Sequence, residues 1–308
     1  MRKRSEKKNN SWENLQGFRY AHRGLFHQPR SASKKAADNT PFIRRKPLWK
    51  EEIGRWKAEG RRIIPENSMK AFRQAVRHGF GSELDVHLTT DGKLVVFHDD
   101  NLLRMAGINR LVKDMSWKEL SEIQLLDTPT RIPLLEEVLD LYTSRKAMHT
   151  KKHSDTDTDK RIYLPLIIEL KSEGNISELC HRVMETIDRY PALNYCIESF
   201  DPRVVLWFRR HRPDVIRGQL TENFMKSREA VRQWGYLMTF GMWSVVPDVL
   251  SRPDFISCKF KDRRNPFIRL SHRMGVGQVN WIIRNQEELK AVDREGGLGI
   301  FERFLPDR

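Results

Sequence analysis

Nine short apolar runs alternate with amphipathic stretches from residue 18 almost to the end of the chain. The strand-like runs are 18–22, 82–88, 94–98, 162–169, 194–198, 215–219, 254–259, 277–283 and 298–302. Helical spacing of apolar residues marks 67–79, 133–145, 176–189, 201–211, 264–273 and 286–295. Thr90-Asp91-Gly92 has the composition of a tight turn, so 82–88 and 94–98 are expected to pair antiparallel. Setting that one strand aside leaves about eight in alternation with helices. The expected fold is α/β, a single (β/α)8 TIM barrel with a small insertion. The 308 residues, with 39% apolar side chains and eight tryptophans, suffice to fill its core. Pro65-Glu66-Asn67-Ser68 reads as the start of a helix, capped by Asn67 or Ser68.

Three segments stand outside the alternation. Residues 1–16 are polar and charged and are expected to form a disordered basic arm before a barrel spanning 17–308. Residues 28–62 form a basic insertion in which Trp49, Ile53 and Trp56 suggest a short amphipathic helix over 47–59. Residues 146–161 read as a solvated loop. The net charge is +15, of which residues 1–10 carry +4 and residues 28–62 carry +7. The excess therefore lies mostly outside the barrel proper. Cys180, Cys196 and Cys258 are odd in number and widely spaced, which favours buried free thiols over disulfides or zinc ligands. The basic N-terminus has no apolar run behind it, and no stretch approaches the ~18 apolar residues of a spanning helix. The expected location is cytoplasmic, with peripheral contact at the inner membrane surface as an option for the basic insertion.

Charged residues sit at the ends of the apolar runs. Side chains alternate along a strand, so Glu83 and Asp85 share a face, as do Glu169 and Lys171. Parallel strands of a barrel all end on one face, where these groups converge. Glu83, Asp85 and Glu169 are candidate ligands for Mg²⁺ or Ca²⁺, because three carboxylates without sulfur suit a hard cation. A strand-end pairing of such carboxylates with lysines is the blander explanation for any one of them. His22 and His98 are candidates for proton transfer, since imidazole titrates near neutral pH. Arg23 and Lys171 supply positive charge for phosphate oxygens. Gly24 lets the backbone pass close to a ligand.

Taken in order, His22-Arg23-Gly24, Pro65-Glu66-Asn67-Ser68, Glu83-Leu84-Asp85-Val86, Thr90-Asp91-Gly92, His98-Asp99 and Glu169-Leu170-Lys171 closely resemble the glycerophosphodiester phosphodiesterases. The resemblance continues through Glu198-Ser199-Phe200-Asp201-Pro202, Arg217-Gly218-Gln219-Leu220 and Trp281. It implies metal-dependent hydrolysis of glycerophosphodiesters to an alcohol and glycerol 3-phosphate. It also implies that Glu83, Asp85 and Glu169 hold the cation, and that His22 and His98 are general base and general acid. Arg23 and Lys171 would then grip the phosphate of a small-molecule substrate. Phe200 and Trp281 would line the glycerol or leaving-group side. Glu66 would lie near the metal, as a further ligand or as the residue that orients Arg23.

The chain departs from that pattern in three places. Forty residues separate Gly24 from Pro65, where the family gap is much shorter. The family's Trp-Thr-Val-Asn becomes Trp281-Ile282-Ile283-Arg284, and its closing Gly-Ile-Ile-Thr-Asp becomes Gly299-Ile300-Phe301-Glu302-Arg303. The insertion supports a competing expectation. Lys34, Lys35, Arg44, Arg45, Lys46, Arg61 and Arg62 flank Phe42, Leu48, Trp49 and Trp56, a composition that suits an anionic membrane surface and a lysophospholipid substrate. A solvated loop is the preferred reading of the same residues. A noncatalytic barrel that holds a phosphorylated ligand is disfavoured, because every acid–base and metal position carries a competent residue. Nucleic acid is not an expected partner, since no groove-reading motif or stacking platform is present.

Overall fold

Eight parallel strands close into one barrel in the computed structural model, which describes residues 12–33, 49–151, 160–222 and 251–307. In chain order they are β1 (Tyr20–Ala21), β2 (Gly81–Leu88), β3 (Leu166–Leu170) and β4 (Tyr195–Ser199). The ring continues with β5 (Arg217–Thr221), β6 (Phe255–Lys259), β7 (Gly277–Ile283) and β8 (Leu298–Phe301). Each strand pairs with its neighbours in sequence, and β1 closes the ring between β8 and β2. The turn at Thr90-Asp91-Gly92 returns the chain as Leu94–Val96, antiparallel to β2. Helices cover the outer face of the barrel and inward side chains fill its interior, so a strand like Leu166–Leu170 is buried along its whole length and reads as a continuous apolar run.

Capping residues start the helices that pack outside. Ser68 accepts from the Ala71 amide ahead of Met69–Arg77, Asn175 caps Ile176–Ile187, and Asp201 with Pro202 opens Pro202–His211. Inside the barrel, Gly218 on β5 faces the Phe255 ring of β6, and a Cβ there would lie 2.1 Å from a ring carbon. Gly218→Ala is expected to cost about 1–3 kcal/mol through overpacking, read as a lower midpoint in thermal unfolding. An unchanged midpoint would mean that the ring can move aside.

Three expectations are corrected. Residues 12–16 are not a disordered arm: Trp12–Leu15 is a helical turn, Leu15 is buried, and Trp12 stacks on Phe255 with centroids 5.3 Å apart. Only residues 1–11 of that arm lie outside the described residues. The run 162–169 is two elements. Lys160–Tyr163 pairs with Met148–Lys151 as a hairpin, and β3 begins after Leu164-Pro165, where proline has no amide to donate. The insertion helix spans Trp49–Ala58, and Trp49, Ile53 and Trp56 are all buried. Trp49 and Ile53 join Ala32, Phe97, Leu102, Met105 and Val112 in a satellite core. The two tryptophans are thus packing residues and do not face lipid. Lys34, Lys35, Phe42, Arg44, Arg45, Lys46 and Leu48 lie outside the described residues. Among the described residues no helix is long and apolar enough to cross a membrane.

Candidate active site

The C-terminal ends of β1, β2 and β3 bring the strand-end charges together. Glu83, Asp85 and Glu169 are buried, and each offers an oxygen lying within 4.8 Å of the others. The register that pairs Asp85 with Glu169 places them side by side. Lys171, two residues on, reaches back with its Nζ 2.8 Å from Asp85 Oδ1 and 2.5 Å from Glu169 Oε1. Asn67 donates to Asp85 Oδ2 at 2.7 Å.

The chain after β1 turns sharply to fit around this cluster. Arg23 adopts a positive φ of 53°, uncommon for a side chain with a Cβ, and its amide donates to Glu83 Oε2 at 3.0 Å. Gly24 follows at φ 76°, where a Cβ would meet Ala71 at 2.9 Å, so glycine is required twice over. The Arg23 guanidinium bonds Glu66 Oε1 at 2.6 Å and lies 3.5 Å from Asp85.

Each histidine has a carboxylate behind it. His22 Nδ1 lies 3.0 Å from Glu302 Oε2, and its Nε2 points to Glu83 Oε2 at 3.9 Å. His98 Nδ1 lies 2.6 Å from Asp99 Oδ1. Burial, then the positive charge of Arg23, lowers the pKa of both imidazoles; Lys171 lowers that of His98 further. Burial acts against Glu302 as well, but the bond from His22 and the charges of His22, Arg303 and Arg284 hold it at about 2.

Glu66 is the one candidate metal ligand that the structure sends elsewhere. Its Oε1 accepts from Arg23 and from Arg104 Nη2 at 2.5 Å, and its Oε2 accepts from Gln28 at 2.6 Å. Both oxygens are used, and Glu66 stands outside the three-carboxylate group. It orients Arg23. Arg104 also bonds Asp99 Oδ2 at 2.5 Å and the Ala32 carbonyl at 2.5 Å. One guanidinium therefore ties the supports of Arg23 and His98 to the start of the insertion.

Phe200 and Trp281 meet edge to face, 6.0 Å apart, after β4 and on β7. Lys259 of β6 lies over the Trp281 ring and pairs with Glu222. Sequence reasoning assigned no role to Glu302, Asp99, Arg104 or Glu198. Glu198 sits beside Glu169 in register, and burial, then Glu169, raises its pKa to about 8. The signal that located the others, a charge ending an apolar run, was present for Glu198 and Glu302.

The donor set fits a hard divalent cation: three crowded, dry carboxylates with oxygen ligands only. Burial raises the pKa of Glu169 to about 7, with Asp85 adding to the rise and Lys171 opposing it. A raised carboxyl binds its proton more tightly folded than unfolded, so its contribution to stability is full below the unfolded value and is lost as pH rises. Without metal, the midpoint of thermal unfolding is expected to fall between pH about 6.5 and about 8, through Glu169 and then Glu198, above the range in which the lowered imidazoles of His22 and His98 act in the opposite sense. Added Mg²⁺ or Ca²⁺ should restore it most at the alkaline end, where protons no longer compete. A midpoint that rose over this range and ignored metal would contradict the reading.

The sequence profile of the glycerophosphoryl diester phosphodiesterase family matches residues 58–302. A glycerophosphodiester phosphodiesterase of Bacillus altitudinis is 44% identical over 90 residues, 27% of this chain and 37% of that protein. The uncharacterised protein YqiK of Bacillus subtilis (strain 168) is 39% identical over 250 residues, 78% of this chain and 90% of its own length. Among solved structures, an Oleispira antarctica phosphodiesterase in complex with the product sn-glycerol-3-phosphate aligns with a TM-score of 0.59. That alignment is 18% identical and covers 77% of this chain and 87% of that one.

Proposed function

The chain belongs to the glycerophosphoryl diester phosphodiesterase family, a family of phosphodiesterases, and from that membership and the geometry we propose that it hydrolyses glycerophosphodiesters to an alcohol and glycerol 3-phosphate in a metal-dependent reaction. The observation that carries this reading is the convergence of Glu83, Asp85 and Glu169 between two imidazoles, each backed by its own carboxylate.

Glu83, Asp85 and Glu169 would hold Mg²⁺ or Ca²⁺, which supplies Lewis-acid stabilisation of charge on the phosphoryl oxygens when bound. Arg23 and Lys171, already set among these carboxylates, face the same oxygens and offset the same charge. His22, with Nε2 directed to the cluster, accepts the proton of the attacking hydroxyl, whether water or the substrate's own glycerol. His98 donates to the leaving alcohol. Burial and the nearby cations favour the neutral form of both imidazoles, and the anionic phosphodiester beside them favours the protonated form that His98 needs. Phe200 and Trp281 line the remaining wall.

Of the four apolar residues of the membrane-anchored alternative, Trp49 lies in the satellite core and Trp56 is buried against the fold, so the small-molecule substrate is preferred. Identification of the products by ³¹P NMR tests the reaction class. Glycerol 3-phosphate is the expected phosphate product from both glycerophosphocholine and glycerophosphoethanolamine. Phosphocholine with free glycerol, or unchanged substrate, would overturn the proposal.

A further inference from the structure

Two departures of this chain from the family pattern meet on one histidine. Arg284 stands where the family has asparagine, and Glu302-Arg303 where it has Thr-Asp. Glu302 lies just past β8, and the backbone fixes its place: its amide bonds the Ile283 carbonyl at 3.0 Å, while the His22 amide bonds the Phe301 carbonyl at 2.9 Å. The carboxylate is divided between two duties. Oε2 faces His22 Nδ1 at 3.0 Å. Oε1 faces Arg284 Nη2 at 3.4 Å and Arg303 Nε at 3.6 Å. Glu302 is 8% exposed, so this contact is shielded from bulk water, whereas the Arg284 side chain is 63% exposed.

We propose that Glu302, steadied by Arg284 and Arg303, is the positioning residue of His22. A carboxylate only accepts, so Nδ1 carries the proton and Nε2 keeps its lone pair. The ring is then held with that lone pair toward Glu83, on the side of the three-carboxylate group. Threonine at this position could not reach the same state with a full negative charge. The substitution of glutamate is matched by the arginines beside it, which keep its second oxygen occupied. Glu302 does not touch substrate and acts through His22.

The kinetic half of this inference rests on the phosphodiesterase reading; the spectroscopic half does not. Glu302→Gln keeps the shape but offers a donor as readily as an acceptor. Its kcat is expected to fall about 10–100-fold, the scale seen when a metal-bound histidine loses its carboxylate partner, with KM nearly unchanged. Glu302→Asp should recover part of that loss. By ¹H NMR, a low-field imidazole N–H resonance should be present in the wild type and in His98→Gln but absent in His22→Gln. The same resonance should vanish in Glu302→Gln and weaken in Arg284→Asn, a change at an exposed side chain. A wild-type kcat in Glu302→Gln, or a His22 resonance that survives the substitution, would overturn the proposal. If no diester is hydrolysed by the wild type, the reaction class fails, and the resonance still decides whether Glu302 positions His22.

Discussion

His98→Ala is expected to lower kcat by about 10²–10⁴, the usual contribution of one positioned acid or base. That is about 2.7–5.4 kcal/mol of transition-state stabilisation at 1.36 kcal/mol per decade. Fold and metal affinity should survive, because Asp99 behind His98 remains anchored to Arg104 by two hydrogen bonds. KM should change little, since the imidazole acts on the leaving alcohol during bond breaking. A substrate with a nitrophenol leaving group needs no protonation and should escape most of the defect. His22→Ala should be slow on both substrates. Steady-state kinetics on the two decide it. Near wild-type turnover by a correctly folded His98→Ala would remove His98 from the mechanism, and an equal loss on both substrates would reverse the roles of the histidines.

Arg104→Ala is expected to be the most destabilising single change near the site. Its guanidinium is buried and bonds Glu66, Asp99 and the Ala32 carbonyl at once. Truncation would leave Asp99 with only the His98 imidazole beside it and Glu66 with Arg23 and Gln28. Removing one partner of a buried ionic group costs about 3–5 kcal/mol, because the other charge stays desolvated. For a domain of this size that lowers the thermal midpoint by roughly 10 °C. Activity should fall further than the folded fraction, as Glu66 and Asp99, the supports of Arg23 and His98, both lose their anchor. Arg104→Lys should not rescue it, since a point charge cannot span three acceptors as a planar fork does. A lysine variant as stable and active as wild type would show that charge alone suffices.

The barrel and most of the site could be read from sequence for one reason. Strands buried on both faces are continuous apolar runs, so a charge at the end of such a run is conspicuous. Glu83, Asp85, His98, Glu169 and Lys171 were all visible in this way. What stayed hidden depended on partners far along the chain. Glu66 was legible as a motif residue, but its choice of Arg23, Arg104 and Gln28 over a metal is set 38 and 43 positions away. Glu302 showed the same signal, a charge ending an apolar run, but its role did not show, because its partner, His22, is 280 residues distant. The insertion misled for a different reason. Trp49, Ile53 and Trp56 have the spacing of a helical apolar stripe, which reports that one face is buried but not whether protein or lipid buries it. Trp12 was hidden in a polar segment too short to show any period.

The most direct measurement is the rate of glycerol 3-phosphate release from glycerophosphoethanolamine before chelation, after chelation, and after Mg²⁺ or Ca²⁺ is restored, with Glu169→Gln run alongside. The arrangement of Glu83, Asp85 and Glu169 predicts release that chelation abolishes and one of the two ions restores, and little release from the variant under any condition. Release that continues undiminished in the chelated protein would contradict it, as would full activity in Glu169→Gln.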